Sequence, residues 1–309
     1  VYNIDGNNFR TSDVQKIIQN VRLLLGESVN LHLISDAPLG VFLSGGLDSS
    51  VLAVLAAESR TAPLTTVSVV FDEPEFSEEK YQRAVVEKVK SNHHSLKLTK
   101  EDFLAGLAGA WSAMDQPTVD GLNTYFVAGA AKAAGLKAVL SGLGSDEIFL
   151  GYPNFQRADF LRSLSRWPGI GHLGFLGGRY GKLSFLKAGN ILGFYLVFRG
   201  IFSPARAAEI LGLAEKEVFV FLADLEEKIF GAERAILEKM DPVQLLSYLE
   251  TNLYMQNQLL KDADFMAMAH SIEMRVPFVD HLVIENVARL APAVKLGGPY
   301  NKQVLIDAA

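Results

Sequence analysis

No cysteine occurs in the 309 residues. That excludes disulfides, thiolate nucleophiles and cysteine-ligated metals, and it fits a reducing, cytoplasmic setting. Long apolar runs are missing too. A membrane span needs about 18 uninterrupted apolar residues, and the nearest approach, Ile191 to Phe198, is far shorter. The start carries no signal-peptide pattern, and the first residue is Val1 rather than methionine, an indication that something upstream has been removed. Positive charge is also in short supply: 29 Lys and Arg face 35 Asp and Glu, for a net charge of −6. A general nucleic-acid binder carries a basic surface instead. Neither an internal repeat nor a low-complexity tract is found. What remains, 49% hydrophobic and 21% charged, is a globular composition long enough for one large domain or two ordinary ones.

The apolar pattern in the first half alternates between two periods. Val14, Ile17, Ile18, Val21, Leu24, Leu25 and Val29 predict an amphipathic helix. Leu39–Leu43 reads as a buried strand and 50–59 as a helix. Leu64–Phe71 is a strand, followed by the acidic loop Asp72 to Glu75 and a helix over 78–90 capped by Ser77. Ser95–Leu98 is a short strand, 101–113 and 122–134 are helices, and Lys137–Leu140 is a strand. Alternating strands and helices imply a parallel sheet with right-handed crossovers, whose ligands bind at the carboxyl ends of the strands. After about residue 152 the strand pattern stops. The remainder reads as helices, among them one starting at Asp241-Pro242, with a Gly-rich stretch of loop or broken helices over 167–200.

Between the strand ending at Leu43 and the helix that follows lies Ser44-Gly45-Gly46-Leu47-Asp48-Ser49-Ser50. Glycines there allow a sharp turn and close approach to a ligand. The first amides of a helix, with nearby hydroxyls, form a pocket for phosphate oxygens. The run lacks the Gly-Lys-Ser/Thr ending of a Walker loop and the GxGxxG of a dinucleotide site. It resembles the pyrophosphate loop of the ATP pyrophosphatases, which cleave ATP to AMP and pyrophosphate. A second glycine loop, Ser141-Gly142-Leu143-Gly144-Ser145-Asp146-Glu147, follows the strand ending at Leu140. Asp48 and Asp146 therefore stand at two strand ends of one sheet. Two carboxylates beside a triphosphate suit Mg²⁺, which takes one or two carboxylates plus phosphate oxygens and water. The alternative is that each Asp only caps its helix.

With FLSGGLDSS at 42–50, HH at 93–94, LSGLGSDEIFLGY at 140–152 and LLKDADFMAMAHSIEMRVPFVDH at 259–281, the chain resembles the synthetase domain of glutamine-hydrolysing asparagine synthetases from about residue 20 to its end. The resemblance implies an adenine nucleotide alpha hydrolase-like α/β fold. A parallel five-stranded-type sheet with flanking helices would occupy 1–152, and a mainly helical part of the same synthetase domain would occupy 153–309. It implies ATP and Mg²⁺ as cofactors. Ser44, Gly45, Gly46, Asp48, Ser49 and Ser50 would hold the pyrophosphate part of ATP, and Leu43, Val69, Ser141 and Gly142 would line the adenosine. Asp48 and Asp146 would bind the metal, and 259–281 would help shape the acceptor pocket. The implied reaction is amide formation through an acyl-adenylate, with aspartate as the acid and ammonia, supplied by a glutaminase domain outside this chain, as the amine. A homodimer is compatible with it.

Three departures from that pattern stand out. Leu143 occupies the place where the family usually has Glu and cyclising relatives tend to carry Tyr, so proton transfer must come from another group. Glu147 or Glu273 are the candidates. The family's catalytic lysine is expected downstream of the stretch matching Tyr300–Ala308, beyond Ala309, and the cysteine nucleophile of glutamine hydrolysis is not in this chain. These departures keep two alternatives open: a tailoring amidotransferase or cyclase acting on another carboxylate, and an ATP-binding module without catalysis. His93-His94 reads as an edge-of-sheet pair, and Met266 and Met268 as core filling. Asp262 and Asp264 read as helix N-terminal charges. Arg275 reads equally as a ligand for carboxylate or phosphate and as an ion-pair partner of Glu273 or Asp280.

Overall fold

The computed structural model describes residues 11–71, 78–118, 120–165, 167 and 169–309. The acidic stretch Asp72 to Glu75 and the expected Ser77 cap lie outside the described residues. By their internal contacts the described residues form two compact units, one within 11–151 and 250–309 and the other within 152–249.

The first unit is a parallel sheet with helices on both faces. Its strands are β1 (Leu39–Phe42), β2 (Thr65–Phe71), β3 (Asn92–Leu98), β4 (Ala138–Leu140) and β5 (Glu273–Arg275), in the spatial order β3-β2-β1-β4-β5. α1 (Thr11–His32) precedes β1, and between the strands run α2 (Leu47–Glu58), α3 (Glu79–Val89), α4 (Lys100–Ala113), α5 (Gly121–Ala133) and the single turn α6 (Ser145–Ile148). β1, β2 and β4 are largely buried on both faces, with alternate residues pointing to opposite sides, whereas the edge strand β3 is mostly exposed. Leu39, Val41, Ala138 and Leu140 join a core with Val21, Leu25, Leu52 and Phe278. Phe42, Val67 and Val139 face the other way, onto Ala128 and Ala131 of α5. α4 starts at a reciprocal cap: the Asp102 amide donates to the Thr99 hydroxyl (3.1 Å), and the Thr99 amide donates to the Asp102 carboxylate (3.3 Å).

The second unit is helical: α7 (Ala158–Ser165), 3₁₀ turns over Ile170–Leu176 and Gly178–Ala188, α8 (Ile191–Arg199), α9 (Pro204–Leu211), α10 (Glu215–Phe230), α11 (Arg234–Leu237) and α12 (Pro242–Leu249). Within the stretch expected as loop or broken helices, α8 is a regular helix. Its apolar residues are capped by Asn190, whose side chain accepts from the Gly193 amide at 2.7 Å. α12 starts where Asp241-Pro242 predicts, with Asp241 accepting from the Val243 and Gln244 amides.

The chain then returns to the first unit through a π-helix, Glu250–Leu259, and α13 (Leu260–Met268). It ends in α14 (His281–Ala288), α15 (Pro292–Lys295) and α16 (Gln303–Ala308). Two expectations are corrected here. Strand structure does not stop at 152, because β5 pairs with β4 at Ala138–Glu273 and Leu140–Arg275. Three residues are too few to show a period, and only the neighbouring strand makes them extended. β3 begins three residues early, at Asn92, and pairs over its whole length with β2. No helix among the described residues is long and apolar enough to cross a membrane.

Candidate active site

The strand order reverses between β1 and β4. Chain entry through β1 leads outward to β2 and β3, then back across to β4 and β5. At such a switch point the two following loops splay to opposite faces and leave a crevice at the carboxyl edge. The loops after β1 and β4 are the two glycine loops.

In the first loop Gly45 has φ +95°, and a Cβ there would lie 3.1 Å from Glu78 and 3.3 Å from Gln82. Gln82 holds the loop from behind, donating to the Ser44 carbonyl at 3.0 Å. Gly46 is the residue before α2 and offers no side chain to cap it, so the first amides of α2 stay available to an anion. The serine hydroxyls brace the turn. Ser49 and Ser50 donate to the Gly46 carbonyl at 3.1 and 2.7 Å, and Ser44 Oγ accepts from the Gly46 amide at 3.1 Å. Leu43 is enclosed in the core, its carbonyl accepting from Ser68 and its amide donating to Val67. Val69 is half-buried on β2. Ser141 donates its amide to the Arg275 carbonyl at 2.8 Å.

The two loops touch. A Cβ on Gly142 would lie 2.9 Å from Asp48 Cβ and 3.1 Å from the Ser49 amide nitrogen. Gly144 (φ +87°) turns the chain into α6, which presents Asp146. Ser145 donates its hydroxyl to Asp48 Oδ1 at 2.8 Å. Lys302, just ahead of α16, places its ammonium 2.8 and 2.7 Å from the two oxygens of Asp48 and 2.6 Å from Asp146 Oδ1. Sequence reasoning missed this lysine by looking for one further downstream. The available signal was weak: a single cation ahead of a short apolar run. Gly151 lies close against the pair, since a Cβ there would overlap Asp146 and Lys302. Burial pushes the Asp48 carboxyl above its ordinary value, outweighing the opposing pull of the Lys302 ammonium, and the Asp146 charge adds to the rise.

Lys302 also tests whether a metal suits the place. Its ammonium shows that a cation is held there by oxygen atoms of Asp48, Asp146 and Ser145. An all-oxygen seat with two carboxylates matches the preference of Mg²⁺. Among the described residues no group of three or more His, Cys, Asp and Glu could hold a metal, so phosphate and water would have to complete its shell.

The other candidates lie elsewhere. Glu147 has no accessible surface. Glu273 pairs with Arg275 at 2.9 and 3.1 Å, which holds its carboxyl below the ordinary value. Arg275 also donates to the His32 and Ile34 carbonyls at 2.7 Å, so the open reading of Arg275 resolves to an ion pair that clamps the end of α1. His93 and His94 sit on the edge strand β3, and His93 meets the Thr66 hydroxyl at 2.9 Å. Met266 is core, whereas Met268 is exposed. Asp262 lies in the first turn of α13 but is buried.

A model of the asparagine synthase family matches residues 20–309. Asparagine synthetase [glutamine-hydrolyzing] 1 of Bacillus subtilis is 29% identical over 96% of this chain and 48% of its own length. The amidase chyE of Penicillium rubens is 28% identical over 91% of this chain and 47% of its own. The chain thus spans about half the length of the curated relatives it matches. Among solved structures, an NH3-dependent NAD synthetase from Campylobacter jejuni aligns over 81% of this chain and 96% of its own at 12% identity, with a TM-score of 0.34.

Proposed function

The chain belongs to the asparagine synthase family of ATP-dependent ligases, and from that premise we propose that it joins a carboxylic acid to an amine through an acyl-adenylate. One observation carries the reading: two glycine loops meet at the switch point and aim Asp48 and Asp146 at a single cation seat. The α2 amides and the bare Gly45-Gly46 turn take the β- and γ-phosphates. A substrate carboxylate oxygen attacks the α-phosphorus, and the bond to the bridging oxygen breaks. Pyrophosphate departs against the helix amides and the Lys302 ammonium. The amine then attacks the acyl carbon, AMP leaves, and a proton passes to solvent or a base. Mg²⁺ held by Asp48 and Asp146 would supply further neutralisation of the leaving group's charge.

Aspartate with ammonia from a glutaminase domain, giving asparagine, is the first assignment. A specific observation supports a second, amide formation on another acid: Leu143, half-buried in the second loop, has no atom that accepts a proton, and relatives named as amidases match over 91% of the chain. Exchange of labelled pyrophosphate into ATP, measured with aspartate and a panel of larger acids, tests both. Exchange with aspartate supports asparagine formation, and exchange only with a larger acid supports the second reading. No exchange with any acid overturns the ligase proposal.

A further inference from the structure

From Phe160 to Ala208 the chain carries seven Lys and Arg and not one Asp or Glu. The net charge of −6 is therefore +7 from this stretch and −13 from all the rest. Charge of one sign gathered in one stretch suits a partner of the opposite sign. The same stretch leaves large apolar side chains in water. Ile201 is 84% exposed and Trp167 68%, and Phe160, Leu173, Tyr180 and Phe202 are exposed as well. The core beneath is filled without them, by Phe185, Ala208, Val218 and Leu222.

Glycines bring part of this surface together. A Cβ on Gly171 would lie 2.7 Å from Lys187 Cγ, and one on Gly174 would overlap Ser184, so the 3₁₀ stretches Ile170–Leu176 and Gly178–Ala188 lie side by side. A Cβ on Gly181 would lie 3.2 Å from Ser203 Cβ, which sets the second stretch against the loop between α8 and α9. In sequence, Tyr180 and Lys182 flank one side of that contact, and Phe202, with Ile201 before it, flanks the other. Arg206 follows in the first turn of α9. Its pair with Glu209, at 2.6 Å, is more than half exposed on both sides and leaves the guanidinium in water. Arg162 and Arg199 lie over the rings of Phe194 and Tyr152 instead.

Apolar groups exposed among cations mark an interaction surface. Single-stranded nucleic acid binds on aromatic platforms, and the most exposed residue of this face, Ile201, has no ring to stack. A second copy of the chain would bring like charges together. An anionic lipid surface satisfies both features at once. Its headgroups attract the cations, and Ile201, Phe202 and Leu173 enter the boundary with the acyl chains.

We infer that the Leu173–Tyr180–Ile201–Phe202 face docks the helical unit onto a membrane that bears anionic lipids, as a peripheral contact and not a span. The inference stands apart from the ligase reading and survives its failure.

Flotation of the whole chain with vesicles tests it. Vesicles of phosphatidylcholine with phosphatidylglycerol in about equal parts are compared with vesicles of phosphatidylcholine alone. Binding to the mixed vesicles is expected, weakening at high salt, with at least about tenfold less on phosphatidylcholine alone. I201S/F202S should lower the partition coefficient about tenfold or more, since two apolar side chains no longer leave water. K182Q/R206Q should lower it about fivefold for each charge removed. Thermal midpoints of both variants should match the wild type, which separates lost docking from lost folding. No binding to the mixed vesicles, equal binding to both kinds, or an unchanged partition in both variants overturns the inference. A dimer seen by sedimentation without lipid and dissolved by I201S/F202S would give the face to a second copy and overturn it too. So would binding of a single-stranded oligonucleotide that the same variant abolishes.

Discussion

At Lys302 one ammonium group offsets the repulsion of two carboxylates, and it does so from a left-handed backbone (φ +57°) that a non-glycine residue adopts only at some cost. A side chain 7% exposed and doubly paired would compete for the same oxygens with the Mg²⁺ proposed there. Lys302→Met is therefore expected to raise the affinity of the nucleotide-free protein for Mg²⁺, read by calorimetry. It should also lower the exchange rate on the order of 10²-fold, as when one stabilising donor is lost from a transition state. Unchanged Mg²⁺ affinity would show that the ammonium and the metal use different seats. Gly142→Ala tests the contact between the loops. Its Cβ would press on backbone atoms of Asp48 and Ser49, which cannot swing aside as a side chain can. A loss of about 1–3 kcal/mol in urea unfolding is expected, as for overpacking, together with loss of exchange. The glycines, serines and aspartates of both loops were legible from residue type and spacing. Lys302 was not, because a lone lysine carries no pattern.

Among the elements, the helices of the first half and the short strands β1 and β4 were readable, whereas β5 was not. α1 follows from apolar spacing, and α4 matches the helix expected over 101–113, with the Thr99–Asp102 cap found only in the structure. β5, three residues long, exists only because β4 lies beside it. The histidines of β3 and of the turn after α13 give a pH dependence. Burial, with the neighbouring His94, holds His93 below its ordinary value of 6.5, and burial, with Lys132, does the same for His270. A histidine with a lowered folded-state pKa binds more protons when unfolded. Stability is therefore retained above pH 6.5 and falls as pH drops from 6.5 toward the folded-state values. Urea midpoints taken near neutrality and at about pH 5 should fall on acidification, and His93→Gln should flatten that fall. A slope unchanged in His93→Gln and His270→Gln would place the titrating groups elsewhere.

For the molecule as a whole, ligand binding should be visible as stability. With free Mg-ATP at about 100 times its dissociation constant, unfolding should cost about 2.7 kcal/mol more, seen as a higher thermal midpoint. The effect should be lost in Asp48→Asn and kept in His93→Gln. A midpoint that Mg-ATP leaves unmoved in the wild type would argue against the nucleotide site. Local chemistry settles that each glycine loop turns a strand into a helix, since residues adjacent in the chain dictate those conformations. Composition likewise settles that no cysteine of this chain takes part. Strand order is a different matter. That β1 and β4 are neighbours, that Gly142 lies against Asp48, that Lys302 arrives from 254 positions away and that Gln116 meets Asp262 across 146 all depend on how the layers pack. Such contacts arise from burying both faces of one sheet at once, a condition on the whole chain that no local stretch contains.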